Sequence, residues 1–96
     1  MPERPRTLDA DEIAAQLHSL PGWEVRGEKL TRAFKFKDFM EAVNFVNRVA
    51  PVAESKGHHP DLQVSWGLVV VELTTHDAGG LTDKDFELAS LIDGVA

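Results

Sequence analysis

Between Trp23 and Thr75 the hydrophobic period of the chain changes from about two residues to about 3.6 and back again. That order constrains the fold more than any other feature. "GWEVRGEKLTRAFKF" alternates on both sides of Arg26-Gly27-Glu28 and predicts a β-hairpin. Leu30, Phe34 and Phe36 share one face of its second strand, and Thr31, Ala33 and Lys35 take the other. Arg32 falls on the apolar face, so its charge must reach an edge or solvent. "KDFMEAVNFVNRVAPVAESKG" then predicts a long helix. Phe39, Val43, Val46, Ala50 and Ala53 make one stripe, and Ala42, Phe45, Val49 and Val52 a second beside it. Together they are wider than one core-facing stripe needs: either the helix is well buried, or one edge meets another subunit. Asp38 and Glu41 have capping-box spacing, and Pro51 predicts a kink. "LQVSWGLVVVELTT" returns to alternation, bends at Gly67, and ends in the β-branched run of a central strand.

Helical patterns close both ends. Asp9 and Glu12 box the start of one, with Ile13, Leu17 and Leu20 inward and Pro21-Gly22 as its stop. His18 on this helix reads as a surface residue. Thr82 caps the other, with Asp85 three residues on and Phe86, Ala89 and Ile92 as its inner stripe. The predicted order is α-β-β-α-β-β-α. The predicted class is α+β, a four-stranded antiparallel sheet with helices packed on one face. Residues 1–8 read as a short flexible tail and residues 9–96 as a single domain.

Composition removes several functions. The chain has no cysteine, which excludes disulfides, thiolate metal sites and thiol nucleophiles, and favours a reducing cytoplasm. A net charge of −6 without a basic run argues against nucleic acid and anionic membranes as partners. No apolar stretch reaches the length of a membrane span.

Chemistry concentrates after the long helix. His58, His59, Pro60 and Asp61 follow Glu54, and His76 and Asp77 follow the predicted central strand. In an antiparallel hairpin these two points lie at the same end, so three imidazoles can border one pocket. A helix C-terminus and nearby acids favour imidazolium, which suits a general acid. A metal is the rival reading: His76, one of the pair and an acid are a minimal set. No cysteine and no His-x-x-x-His spacing supports it, and we expect no metal. Ser55 and Ser65 lack a nucleophile elbow, and Gly79-Gly80 lacks the rest of a phosphate loop.

The spaced set Glu54, "HHP" at 58–60, Trp66, His76 and Asp85, together with "LPGW" at 20–23 and "LTTHDAGGLTDKDFELASLID", resembles the pterin-4a-carbinolamine dehydratase family over nearly the whole chain. The resemblance implies a cofactor-free hydro-lyase that takes water from 4a-hydroxy-tetrahydropterin to give quinonoid dihydropterin. It implies recycling of tetrahydrobiopterin after aromatic amino-acid hydroxylation, with such a hydroxylase in the same pathway. It also implies a homodimer or homotetramer. By position, His58, His59 and His76 match the catalytic histidines. Trp23, Gly57 and the segment Thr74, Thr75, His76 and Asp77 match substrate contacts. Glu54, Pro60, Asp61, Trp66 and Asp85 match supporting positions. Departures are Trp66 where tyrosine is common, Gly57 for a polar residue, Lys84 for arginine, and Gly79, expected to loosen its turn. The alternative on the same fold is a non-catalytic binding module, an assembly factor or transcriptional coactivator.

Overall fold

The computed structural model describes residues 6–96. In chain order the elements are α1 (Ala10–Leu17), β1 (Glu24–Arg26), β2 (Lys29–Lys35), α2 (Phe39–Lys56), β3 (Asp61–Ser65), β4 (Leu68–Leu73) and α3 (Asp83–Val95). The expected order and class hold. All pairings are antiparallel, in the spatial order β1-β2-β4-β3. The β-branched run of β4 is therefore central, as its composition requires.

Register sets the two faces of the sheet. Leu30 stands opposite Leu73, Phe34 opposite Val69, and Leu62 opposite Val71. Leu30, Phe34, Val69, Val71 and Leu73 are buried against the helices. From α2 the core takes Ala42, Phe45, Val49 and Ala53. The Phe45 ring lies 4.6 Å from Phe34 and 5.1 Å from Phe36, and burying such a ring stabilises the fold by about 1.5–3 kcal/mol. From α3 it takes Phe86, Leu88, Ala89 and Ile92. The stripe of Ala42, Phe45, Val49 and Val52 therefore faces the core; of the other stripe, Ala53 is buried and Val46 packs against the core, while Phe39 is 47% exposed.

Arg32 reaches the edge that its position demands. Its guanidinium donates to Asp93 at 3.0 Å and lies 4.6 Å over the Phe34 ring. Asp93 also accepts the Trp23 indole N–H at 3.0 Å. One carboxylate thereby satisfies a half-buried cation and a buried ring donor, and no buried side-chain polar atom among the described residues lacks a partner.

Several local expectations change. Residues 1–5 lie outside the described residues, but Arg6–Leu8, read as tail, are held in place. Leu8 is buried and its N–H donates to Leu81 O at 2.8 Å. Arg6 pairs with Glu12 at 2.7 Å and holds that carboxyl down at about 2. The first capping box is complete, and so is that of Thr82 with Asp85. The Asp38–Glu41 box forms only in half: Asp38 accepts the Glu41 N–H, with no return bond. The helix runs through Pro51 to Lys56. Pro51 sits on the exposed side, where water can take the Asn47 carbonyl that proline cannot serve.

Candidate active site

The long helix stops at Gly57, whose φ of 61° is the left-handed conformation that reverses the chain. Gly57 N–H caps Ala53 and Glu54 carbonyls, and the His58 N–H follows onto Ala53 O at 3.2 Å. That geometry turns His58 inward over the start of α3. It also explains why glycine serves in place of a larger polar residue. Replacing Gly57 by alanine meets no neighbour, so only the backbone is strained. We expect a loss of about 1 kcal/mol by urea denaturation.

His58 Nε2 lies 2.6 Å from Asp85 Oδ1. Asp85 is fully buried, at the first turn of α3. Its other oxygen accepts the Thr75 hydroxyl at 2.8 Å and the Thr82 N–H at 3.0 Å. Thr75 and Thr82 hydroxyls are themselves 2.8 Å apart. Two donors on Oδ2 and the positive end of the helix dipole suit an ionised carboxylate, so the His58 proton belongs on Nε2. Nδ1 is then the ring's free acceptor. Asp85 thus completes a helix cap and orients a histidine with the same side chain. Thr75→Val removes a hydroxyl that bridges Asp85 and Thr82. We expect it to cost about 1–2 kcal/mol in a denaturant titration.

His59 points the other way, its Nε2 2.6 Å from Glu54 Oε1, one helical turn back. Both side chains are largely exposed. The opposite directions of the pair follow from an extended chain. His76 lies on the turn after β4, and this turn is closed tightly. Thr75 and Gly80 form a bridge, and Gly79 N–H donates to Thr75 O at 3.0 Å. Gly79 has φ 74°, so it closes the turn rather than loosening it.

The three histidines line one cleft of ≈ 200 Å³ with Gly57, Thr74, Thr75 and Asp77. Lys84, one residue before Asp85, completes it. The structure does not bring in Trp23, Pro60, Asp61 or Trp66. Trp23 is consumed by the core: it is 6% exposed, set edge-on to Phe34 and bonded to Asp93. Pro60 precedes β3, which Asp61 begins opposite Glu72. Trp66 occupies the turn at the far end of the β3–β4 hairpin and is 72% exposed. Two contributors were not anticipated as site residues, Thr82 and Lys84. The capping pattern at 82–85 and the step from Lys84 to Asp85 were the signals available. No group of three or more His, Asp or Glu side chains suited to a metal ion occurs among the described residues.

Residues 6–95 match the family described as "Pterin 4 alpha carbinolamine dehydratase". A relative from Thermosynechococcus vestitus, provisionally named pterin-4-alpha-carbinolamine dehydratase, is 52% identical over 93% of this chain and 94% of its own. One from Sulfurisphaera tokodaii with the same provisional name is 49% identical over 92% and 95%. A crystal structure described as a transcriptional coactivator/pterin dehydratase from Brucella melitensis superposes with TM-score 0.90 at 38% identity, over 95% of this chain and 99% of that one. A pterin dehydratase-like protein described as a RuBisCO assembly factor in the alpha-carboxysome superposes with TM-score 0.67 at 22% identity, over 82% and 94%, which is a likeness of fold.

Proposed function

The chain belongs to the pterin-4a-carbinolamine dehydratase family, named for a hydro-lyase, and from that premise we propose that it dehydrates a 4a-hydroxy-tetrahydropterin by histidine acid–base catalysis. The observation that carries the mechanism is the His58–Asp85 contact at 2.6 Å beside His76 in one cleft. The reaction breaks the C4a–O bond and forms a C4a=N5 double bond. The leaving hydroxide takes a proton and departs as water, and N5 gives up its own proton. One group must therefore donate and another accept, and the product is the quinonoid dihydropterin.

His58 and His76 supply that pair. His58 is oriented by a buried carboxylate, in the way a base is held by a third group in other hydrolytic and transfer sites. The His76 side chain is exposed, on a closed turn, and its ring has no hydrogen-bond partner among the described residues. His59, paired to Glu54, stands at the rim as a substrate contact. Gly57 and the backbone from Thr74 to Asp77 form walls against which a flat ring can lie. The reaction needs no redox cofactor, since no electrons are gained or lost.

Supporting features set the context. No helix among the described residues is long and apolar enough to cross a membrane, and the cysteine-free composition fits a cytoplasmic enzyme. The exposed Phe39, Met40, Val64 and Trp66 suit contacts between copies in a homodimer or homotetramer. An aromatic amino-acid hydroxylase that uses a tetrahydropterin would supply the substrate. Such a hydroxylase, run at high flux, accumulates the 4a-hydroxy adduct. Added in catalytic amount, this protein should abolish that accumulation. Unchanged accumulation at any protein concentration would refute the reading. The binding-module alternative draws on the neighbours described as a coactivator/pterin dehydratase and an assembly factor, whereas this chain retains the histidine set.

A further inference from the structure

The histidine cleft has a neighbour. A second compartment of ≈ 430 Å³ adjoins it, and Thr74 and His76 line both. Its remaining wall is largely the β1–β2 turn, with Arg26, Glu28 and Lys29. That turn is fixed to the site, because the Thr74 hydroxyl donates to Glu28 O at 2.8 Å. Size gives the first argument. The histidine cleft alone, at ≈ 200 Å³, falls below the roughly 300–1,000 Å³ of ligand pockets, whereas the two compartments joined at their shared wall fall within it.

Charge gives the second. The chain as a whole carries −6, yet this wall presents two cations against one acid. Arg26 shares its guanidinium with Glu24 at 2.6 Å. Lys29 makes no ion pair among the described residues. An unpaired ammonium beside a guanidinium is a receptor for phosphate or carboxylate oxygens. We infer that the two compartments hold one substrate, a reduced pterin whose side chain ends in an anionic group, with the ring at the histidines and the anion at Lys29 and Arg26. The inference rests on the dehydratase reading and specifies its substrate class. Both cations are exposed, so the attraction is screened and salt-dependent.

The test compares three stable pterins by fluorescence titration of the full chain. They are a 7,8-dihydropterin with a neutral 6-hydroxymethyl group, its phosphate ester, and 7,8-dihydrofolate, which carries carboxylates on a longer arm. At low salt we expect at least one anionic pterin to bind about fivefold more tightly than the neutral one. The better of the two identifies phosphate or carboxylate. Lys29→Gln with Arg26→Gln should erase the preference, as should high salt, while dehydration of a neutral 4a-hydroxy-tetrahydropterin stays at the wild-type rate. Equal binding of all three, or a preference that survives the double substitution, overturns the inference. Dehydration of the neutral substrate without any anionic preference rejects the inference and leaves the dehydratase reading standing. Absence of dehydration with every pterin rejects that reading itself.

Discussion

Asp85→Asn is expected to leave a folded protein that dehydrates 4a-hydroxy-tetrahydropterin roughly 10²–10³-fold more slowly than wild type. The substitution keeps the shape of the side chain and changes only its hydrogen-bond character. The oxygen at the Oδ2 position must still accept the Thr75 hydroxyl and the Thr82 N–H. The asparagine carbonyl therefore takes that place, and its amide nitrogen falls opposite His58 Nε2. An amide N–H there is a donor, so Nε2 becomes the acceptor and the imidazole proton moves to Nδ1. The cleft then meets the wrong tautomer. Steady-state rates, with circular dichroism as the control for folding, check this. An Asp85→Asn enzyme within threefold of wild type would show that His58 orientation does not govern the rate. Asp85→Ala is the poorer test, because it strands buried donors as well as the histidine.

Removing either proton-transfer histidine should be comparably severe. His76→Ala is expected to lower the rate by about 10²–10⁴-fold with little loss of stability, since the side chain is exposed. His58→Ala carries a second effect. It removes the Nε2–H donor from the fully buried Asp85, and losing a hydrogen bond to a charged group costs about 1.5–3 kcal/mol. His58→Gln, which can offer an N–H to Asp85, separates the two effects: activity should fall as far while the melting temperature stays closer to wild type. His58 and His76 act on one event, so the double variant should be little worse than the worse single one. His59→Ala should cost less, about tenfold, because His59 is largely exposed and bonded to Glu54 at the rim. Loss of the native circular-dichroism spectrum in both His58→Gln and His76→Ala would assign these residues a structural role instead.

The alternation of β1 through β4 and the helical stripe of α2 were legible because each buries one face, and a strand slipped by one residue would expose that face. The convergence of His58 and His76 was legible for the same reason: antiparallel pairing fixes where the ends of β3 and β4 meet. The roles of the aromatic residues were not. By resemblance to the family Trp23 matches a substrate contact, but its indole N–H and the Arg32 charge both need Asp93, seventy residues away in the chain for Trp23. Only the packed core joins them. Trp66 fails for a simpler reason. It sits four residues past Leu62 at the opposite end of a short hairpin, and strand geometry carries it away from the histidines. Gly79 reads as loosening in sequence, since glycine is flexible in an unfolded chain. Its positive φ and the two hydrogen bonds from its N–H onto Thr75 O and His76 O make it part of a closed turn. The double duty of Asp85 lay between these cases. Its capping role was visible in the spacing from Thr82, and its bond to His58 required the reversal at Gly57.

Proton transfer by the histidine cleft is tested most directly by stopped-flow absorbance on a freshly formed 4a-hydroxy-tetrahydropterin. Wild-type protein should speed loss of the adduct in proportion to its concentration, with quinonoid dihydropterin appearing at the same rate. Folded His58→Gln and His76→Ala should return the trace most of the way to that of buffer. A wild-type trace that superimposes on buffer, or variants as fast as wild type, would contradict it.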